Sequence, residues 1–395
     1  MQTVDAAGLE IGDDHPPRIM GVLNVSSESP YDPSVYDDPA EAAEYVDREL
    51  IGQGADIVDV GLESANKRFE VLSAEQELDR LDVAVETIQS VSGDAVFSIE
   101  TRYHEVAEAA LDRGFDMVND ICGFADPEMP EVCADYDVAV AKMASPPDLE
   151  RPGAVEETPW ADRRSSECPS RADYVDQVYE ALKQNGLTEK TIVDPAFGGW
   201  SEAKTLEDDR ETFRRLREFR ALGQPILVSI NRKNFLRSLA GRSTEEALPV
   251  SLAATSMAVE RGAHVIRTHD VAETRDAALI GEAFTRQRLD DGAIGVEELD
   301  VHTTGEAERH FERVGATTDA AAQAVVRVFE ITGLSPTQRD RLSRHAPAHG
   351  AVYAPGSGDS DLIVGSPAAL VALASDVDEP SALGTALETI AESLD

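Results

Sequence analysis

The chain has 395 residues, 42% of them hydrophobic, enough for one large folded domain with a smaller one. Its 35 basic and 76 acidic residues leave a formal charge of −41, with the acids spread along the whole chain and only six lysines, Lys67, Lys142, Lys183, Lys190, Lys204 and Lys233. Nothing resembles a basic nucleic-acid face, and the surface suits a salt-rich, halophilic cytoplasm where carboxylates keep the protein hydrated.

Residues 1–17 read as an N-terminal extension. They are acidic and lack the positive flank and apolar stretch of a signal peptide. No run approaches the roughly 18 apolar residues of a membrane span. Cys122, Cys133 and Cys168 form neither a CxxC pair nor a disulfide framework, so a cytoplasmic location is expected.

From residue 18 a short β-branched run, a loop and an amphipathic stretch alternate. The apolar runs are RIMGVLNV (18–25), DIVDVGLE (56–63), DAVFSIE (94–100), DMVNDIC (116–122), VAVAKM (138–143), KTIVDPA (190–196), PILVSIN (225–231) and AHVIRTHD (263–270). Helical patterns such as AEQELDRLDVAVETIQ and SLAATSMAVERG lie between them. Continuous apolar strands alternating with helices imply a parallel sheet covered on both faces. Eight such units predict an α/β protein with a (β/α)8 TIM barrel over 18–288. Strand order is not readable, so an open sheet stays the alternative. Residues 144–170 form a long proline-rich loop after the fifth strand. Residues 289–305 read as a linker, and 306–395 as a small C-terminal α+β domain of unknown role. In it, helical patterns cover 306–333 and 335–346, and strand-like runs lie within 351–366. GSGDSD (356–361) reads as a tight turn in preference to a phosphate cradle.

In a barrel the active groups sit at the carboxyl ends of the strands. Here those ends carry Asn24, Glu63, Glu100, Asn119 with Asp120, Asp194, Asn231 with Arg232 and Lys233, and Arg267 with His269 and Asp270. Any one of them could simply cap the next helix. Converging on one rim, they form two sets. Asp194, Asn119 and Glu100 suit a flat heterocycle rich in N–H donors. Lys233, Arg267, His269 and Asn24 suit phosphate oxygens. The substrate then combines a heterocycle and a phosphate. A basic pair, Lys67 and Arg68, follows the second strand in DVGLESANKRFE (59–70), where it either binds an anion or solvates a loop.

These residues resemble the dihydropteroate synthase family over about 18–287. IMGVLNV, GADIVDVGLES, SIET, NDICG, IVDPAFG, NRKNF and IRTHDV are similar, in order, to the family's motifs at seven strand ends. The resemblance implies a pterin clamp of Asp194, Asn119 and Lys233, with Glu100 where the family usually has aspartate. It implies a pyrophosphate site of Asn24, Arg267 and His269, with Lys233, Arg267 and His269 as the catalytic groups and Asn24 near Mg²⁺. Ser26 stands for the first loop's threonine. Ala65 and Asn66 stand where the second loop usually carries Thr-Arg, so Lys67 or Arg68 would supply that charge for arylamine or phosphate. The implied reaction joins 6-hydroxymethyl-7,8-dihydropterin pyrophosphate to p-aminobenzoate and releases pyrophosphate, in folate biosynthesis. Small-molecule partners and a homodimer go with it. Two other functions fit the same residues: another pterin-processing enzyme, with a different arylamine or as a methyltransferase, and a non-catalytic pterin-binding paralogue.

Overall fold

The β-branched runs pair side by side as parallel strands. In the computed structural model these are β3 (Arg18–Asn24), β4 (Ile57–Gly61), β5 (Val96–Thr101), β6 (Met117–Asp120), β7 (Ala139–Met143), β8 (Thr191–Asp194), β9 (Leu227–Val228) and β10 (Val265–Thr268), after a short hairpin of β1 (Val4–Ala6) and β2 (Leu9–Ile11). They form one eight-stranded sheet in the order β8-β7-β6-β5-β4-β3-β10-β9. A single parallel bridge between Val193 and Ile226 brings the outer strands together, so the sheet is a (β/α)8 barrel. The structure describes residues 1–25, 34–63, 71–145, 173–198, 204–286, 290–291, 296–377 and 381–394. The chain divides into two compact units, Met1–Gln287 and Arg288–Asp395.

The barrel's helices are α1 (Pro39–Tyr45), α2 (Ala74–Ser90), α3 (His104–Leu111), α4 (Met129–Asp135), α5 (Tyr174–Lys183), α6 (Leu206–Arg214), α7 (Asn234–Ala240), α8 (Leu248–Glu260) and α9 (Val271–Phe284). Local chemistry starts them. Ser73 and Gln76 reciprocally cap α2, as do Asp173 and Asp176 for α5 and Thr205 and Asp208 for α6. The helix running into β4 stops at Gly54, whose φ of 101° is closed to most side chains.

Period-two alternation gives every strand an inner and an outer row. The outer row packs on the helices. It includes Lys142, whose ammonium is buried over the Phe124 ring, 4.5 Å from its centroid, and donates to the carbonyls of Gln184 and Gly186 at the end of α5. The inner row is apolar at the floor, where Met20, Ile57, Val96, Met117, Leu227 and Val265 cluster with Val4, Ala6 and Ile11 of the hairpin. Residues 1–17 thus plug the amino end of the barrel. Asp13 pins that plug. It accepts 3.0 and 2.9 Å bonds from Arg220, and its Oδ1 lies 3.1 Å from Nε2 of His264. The amide of Ile226 donates to His264 Nδ1, which leaves Nε2–H to donate to Asp13.

The second unit carries β11 (Asp290–Asp291), β12 (Val296–Glu297), α10 (Thr304–Arg313), β13 (Arg327–Thr332), α11 (Pro336–His345), β14 (Val352–Ala354), β15 (Ser360–Gly365), α12 (Pro367–Asp376) and α13 (Ala382–Glu392). Its sheet has the antiparallel order β13-β15-β14. The expected helical pattern over 306–333 is corrected here. Only Thr304–Arg313 is α-helical, and RVFEIT (327–332) is a strand whose apolar residues turn inward with period two, Phe329 half-buried and Ile331 buried, while Val328, Glu330 and Thr332 are exposed. GSGDSD is the turn into β15. Asp361 folds back beneath it, accepting from the Gly356 amide at 2.9 Å and pairing with Arg339 at 3.0 Å, so a carboxylate of the chain itself fills the anion position.

Candidate active site

At the carboxyl end the inner row turns polar, and side chains from non-adjacent strands meet in the lumen. Asp59, fully buried on β4, is their junction. Its Oδ2 accepts from Asn119 Nδ2 of β6 at 2.9 Å and from Arg267 Nε of β10 at 2.8 Å. Arg267 Nη2 donates to Glu100 Oε2 of β5 at 2.5 Å. These contacts skip over intervening strands, which requires all four side chains to point inward. Asp59 Oδ1 and Ser98 Oγ are buried in the same interior, on cross-strand partners, and have no hydrogen-bond partner among the described residues.

Asp194 closes the opposite side. Its Oδ1 accepts from the Ala196 amide at 2.8 Å, and burial raises its carboxyl while Lys233 and Arg267 pull it back. Lys233 stands at the start of α7. Its ammonium lies against Gly198, where a Cβ would sit 3.1 Å from Nζ at a φ of 116°, so only glycine leaves that room. Burial, then the charge of Arg267, lowers the Lys233 ammonium to about 8. Lys204 fixes the same segment. Buried, it holds Asp209 at 2.6 Å and donates to the Ala196 carbonyl at 2.5 Å.

Asn24 Nδ2 donates to Ser34 Oγ at 3.1 Å, and Ser34 Oγ lies 3.3 Å from Nδ1 of His269. With its amide so turned, Asn24 Oδ1 comes within 3.2 Å of the space above Gly61, which Glu100 Oε1 faces at 3.6 Å. Burial and the neighbouring Arg267 and Lys233 push His269 down to about 3, so it carries no charge at neutral pH. The neutral ring offers phosphate an N–H donor and no positive charge.

Among the expected site residues, Asn119 and Arg267 are joined through Asp59, Glu100 is bonded to Arg267, Asn24 and His269 are joined through Ser34, and Lys233 stands near Asp194 and Arg267. Other rim residues serve the scaffold. Asp270 takes two bonds from Arg232, at 2.8 and 2.9 Å, and one from Asn231 at 2.8 Å. Asp120 caps the amides of Cys122 and Phe124. Glu63 pairs with buried Arg102 at 2.8 Å. Ser26, Lys67 and Arg68 lie outside the described residues. Asp59, Ser98, Ser34 and Lys204 were missed from sequence. An aspartate in the middle of a buried apolar run was the available signal for the first of them.

Residues 20–269 match the family described as pterin binding enzyme. The dihydropteroate synthase of Escherichia coli K12 is 31% identical over 267 residues, covering 68% of this chain and 91% of that protein. The chain belongs to the dihydropteroate synthase family. A probable bifunctional folylpolyglutamate synthase/dihydropteroate synthase of Halobacterium salinarum is 33% identical over 265 residues, 67% of this chain. The chain spans only 31% of that relative's length and 30% of its Haloferax volcanii counterpart. The solved dihydropteroate synthase of Thermus thermophilus in complex with 4-aminobenzoate is 30% identical, with a TM-score of 0.55, covering 72% of this chain and 100% of that one. The same synthase has been solved with 6HMPPP. The family match ends before Arg288–Asp395, the second unit.

Proposed function

We propose that the barrel condenses 6-hydroxymethyl-7,8-dihydropterin pyrophosphate with p-aminobenzoate and releases pyrophosphate. One observation carries this reading: Asp59 Oδ1 and Ser98 Oγ are buried without partners beside Asn119, Asp194 and Arg267. Buried acceptors left unpaired cost roughly 1–3 kcal/mol each, so the site suits a ligand whose ring brings several N–H donors. A pterin does. The cationic side of the pocket, Arg267 and Lys233 with the N–H of His269 and the amide of Asn24, suits the pyrophosphate.

The arylamine nitrogen attacks the methylene carbon on the pterin, the carbon–oxygen bond to pyrophosphate breaks, and the amine loses a proton. Arg267 and Lys233 receive the charge that builds on the leaving oxygens, in a site already organised for it. Asp194 and Asn119 hold the ring so that this carbon faces the acceptor. Asn24 also fits Mg²⁺: its Oδ1, a hard oxygen donor, faces the space above Gly61. Bound there with phosphate oxygens, Mg²⁺ would offset leaving-group charge. Ser26, Lys67 and Arg68 are assigned the arylamine or phosphate by resemblance. Arg68→Ala is expected to raise KM for p-aminobenzoate without changing pterin affinity.

The outer face of α8 and α9 supports a homodimer. Met257, Leu279, Ile280 and Phe284 are 45%, 45%, 56% and 80% exposed, an apolar patch of the kind that marks an interface. Light scattering should give twice the 42.6 kDa chain mass, and Ile280→Glu with Phe284→Glu should halve it. The acidic composition supports a salt-adapted surface, and the buried thiols of Cys122 and Cys133 a reducing cytoplasm. Among the described residues no helix is long and apolar enough to cross a membrane.

The test is acceptor dependence. Pyrophosphate release from the pterin substrate should require p-aminobenzoate. Release with a different arylamine alone, or pterin binding without turnover, would overturn the assignment.

A further inference from the structure

Glu100 and Arg267 reach each other across the lumen from β5 and β10, which β4 and β3 separate. Arg267 uses Nε on Asp59 at 2.8 Å and Nη2 on Glu100 at 2.5 Å. These two N–H groups form one edge of the guanidinium, and such an edge grips phosphate or carboxylate by paired bonds. Two carboxylates of the chain already occupy it. Asp59 is anchored, being fully buried and also holding Asn119. Glu100 has the longer stem and stands nearer the mouth, beside Gly61 and Asn24. It is the member able to let go.

We propose that Glu100 is an internal counter-ion that couples the two ends of the site. It holds Arg267 while the pocket lacks substrate. When the N–H donors of a pterin draw its carboxylate away, the arginine edge passes to pyrophosphate. Chain length is what makes the contact. An aspartate at this position would retract the carboxylate by one carbon–carbon bond, about 1.5 Å. A 2.5 Å bond would then open to about 4 Å, beyond hydrogen-bonding range. Glu100 is therefore a positioning residue for Arg267, and the coupling it creates is linkage: each ligand pays less once the other has broken the pair.

The proposal rests on the pterin and pyrophosphate assignment above, and calorimetry separates the two. The full chain with Mg²⁺ is titrated with pyrophosphate, with 6-hydroxymethyl-7,8-dihydropterin, and with each in the presence of the other. In the wild type the pterin should tighten pyrophosphate about 10-fold, within the range usual for linked sites. In Glu100→Asp, pyrophosphate alone should bind about 10-fold tighter than to the wild type, and the coupling should fall to about 2-fold or less. Glu100→Gln, which keeps the length and loses the charge, should also bind pyrophosphate alone more tightly. Thermal melts establish that both variants are folded. Undiminished coupling in Glu100→Asp, or weaker pyrophosphate binding by both variants, overturns the counter-ion. A wild type that binds no pterin overturns instead the assignment of the pocket.

Discussion

Replacing Glu77 with glutamine should stabilise the barrel at alkaline pH, although it removes an acidic residue beside an arginine. Glu77 lies on α2, 1% exposed, and accepts a 2.6 Å bond from Thr101 Oγ1. Its other neighbours are Glu63 and Arg102, themselves paired at 2.8 Å. Burial pushes the Glu77 carboxyl up to about 8 from an ordinary 4.5. Between those values the folded chain keeps a proton that the unfolded chain has lost. Stability therefore falls as pH rises through that window, by about 1.4 kcal/mol per pH unit. Across the whole window the ceiling is roughly 4–5 kcal/mol, and relaxation around the buried group makes roughly 2 kcal/mol the realistic figure. Glutamine copies the protonated form: its oxygen accepts from Thr101 and its amide donates towards Glu63. Urea midpoints measured at constant salt from pH 5 to 8.5 should show Glu77→Gln ahead by roughly 2 kcal/mol at the alkaline end, with the gap closing towards pH 5. A gap independent of pH, or a variant less stable at pH 8.5, would refute the reasoning.

At the site, Lys233→Ala should weaken pterin binding at least about 10-fold by fluorescence titration, the loss typical of one charge-assisted bond. In the wild type the same affinity should decline above pH 8, because the Lys233 ammonium, lowered to about 8, loses its proton there. Asp13→Asn should cost about 3 kcal/mol of stability in urea melts by stranding buried Arg220. Although burial opposes it, the bonds from His264 and Arg220 hold the Asp13 carboxyl well below its usual range. Its contribution is thus present above an unfolded value near 3.8 and is lost as pH falls below it, a loss Asp13→Asn should lack.

The barrel was legible because each strand is a short apolar run followed by a helix with its own cap, Ser73 before α2 or Thr205 before α6. The strand ends were legible because a polar residue closing an apolar run has few other reasons to be there. Which polar residue does what was not. Asn231, Arg232 and Asp270 carry the same chemistry as Lys233 and His269, yet they satisfy one another, and only coordinates reveal that pairing. Asp59 was hidden in the middle of its strand, since it faces the lumen only once β4 is placed opposite β10. The charge of His269 depends on Arg267 and Lys233, neighbours in space on two different strand ends. The strand at Arg327–Thr332 was hidden by the helical patterns around it, while the plug at Val4–Ile11 gains its partners only from the finished floor of the barrel.

The central claim is that one pocket joins a pterin to an arylamine at the expense of a carbon–oxygen bond to pyrophosphate. The most direct measurement is a single turnover with Mg²⁺, quantifying dihydropteroate by mass and pyrophosphate in the same quenched samples. The account predicts equal amounts of the two at every time point, and neither without p-aminobenzoate. Pyrophosphate released without dihydropteroate would contradict it.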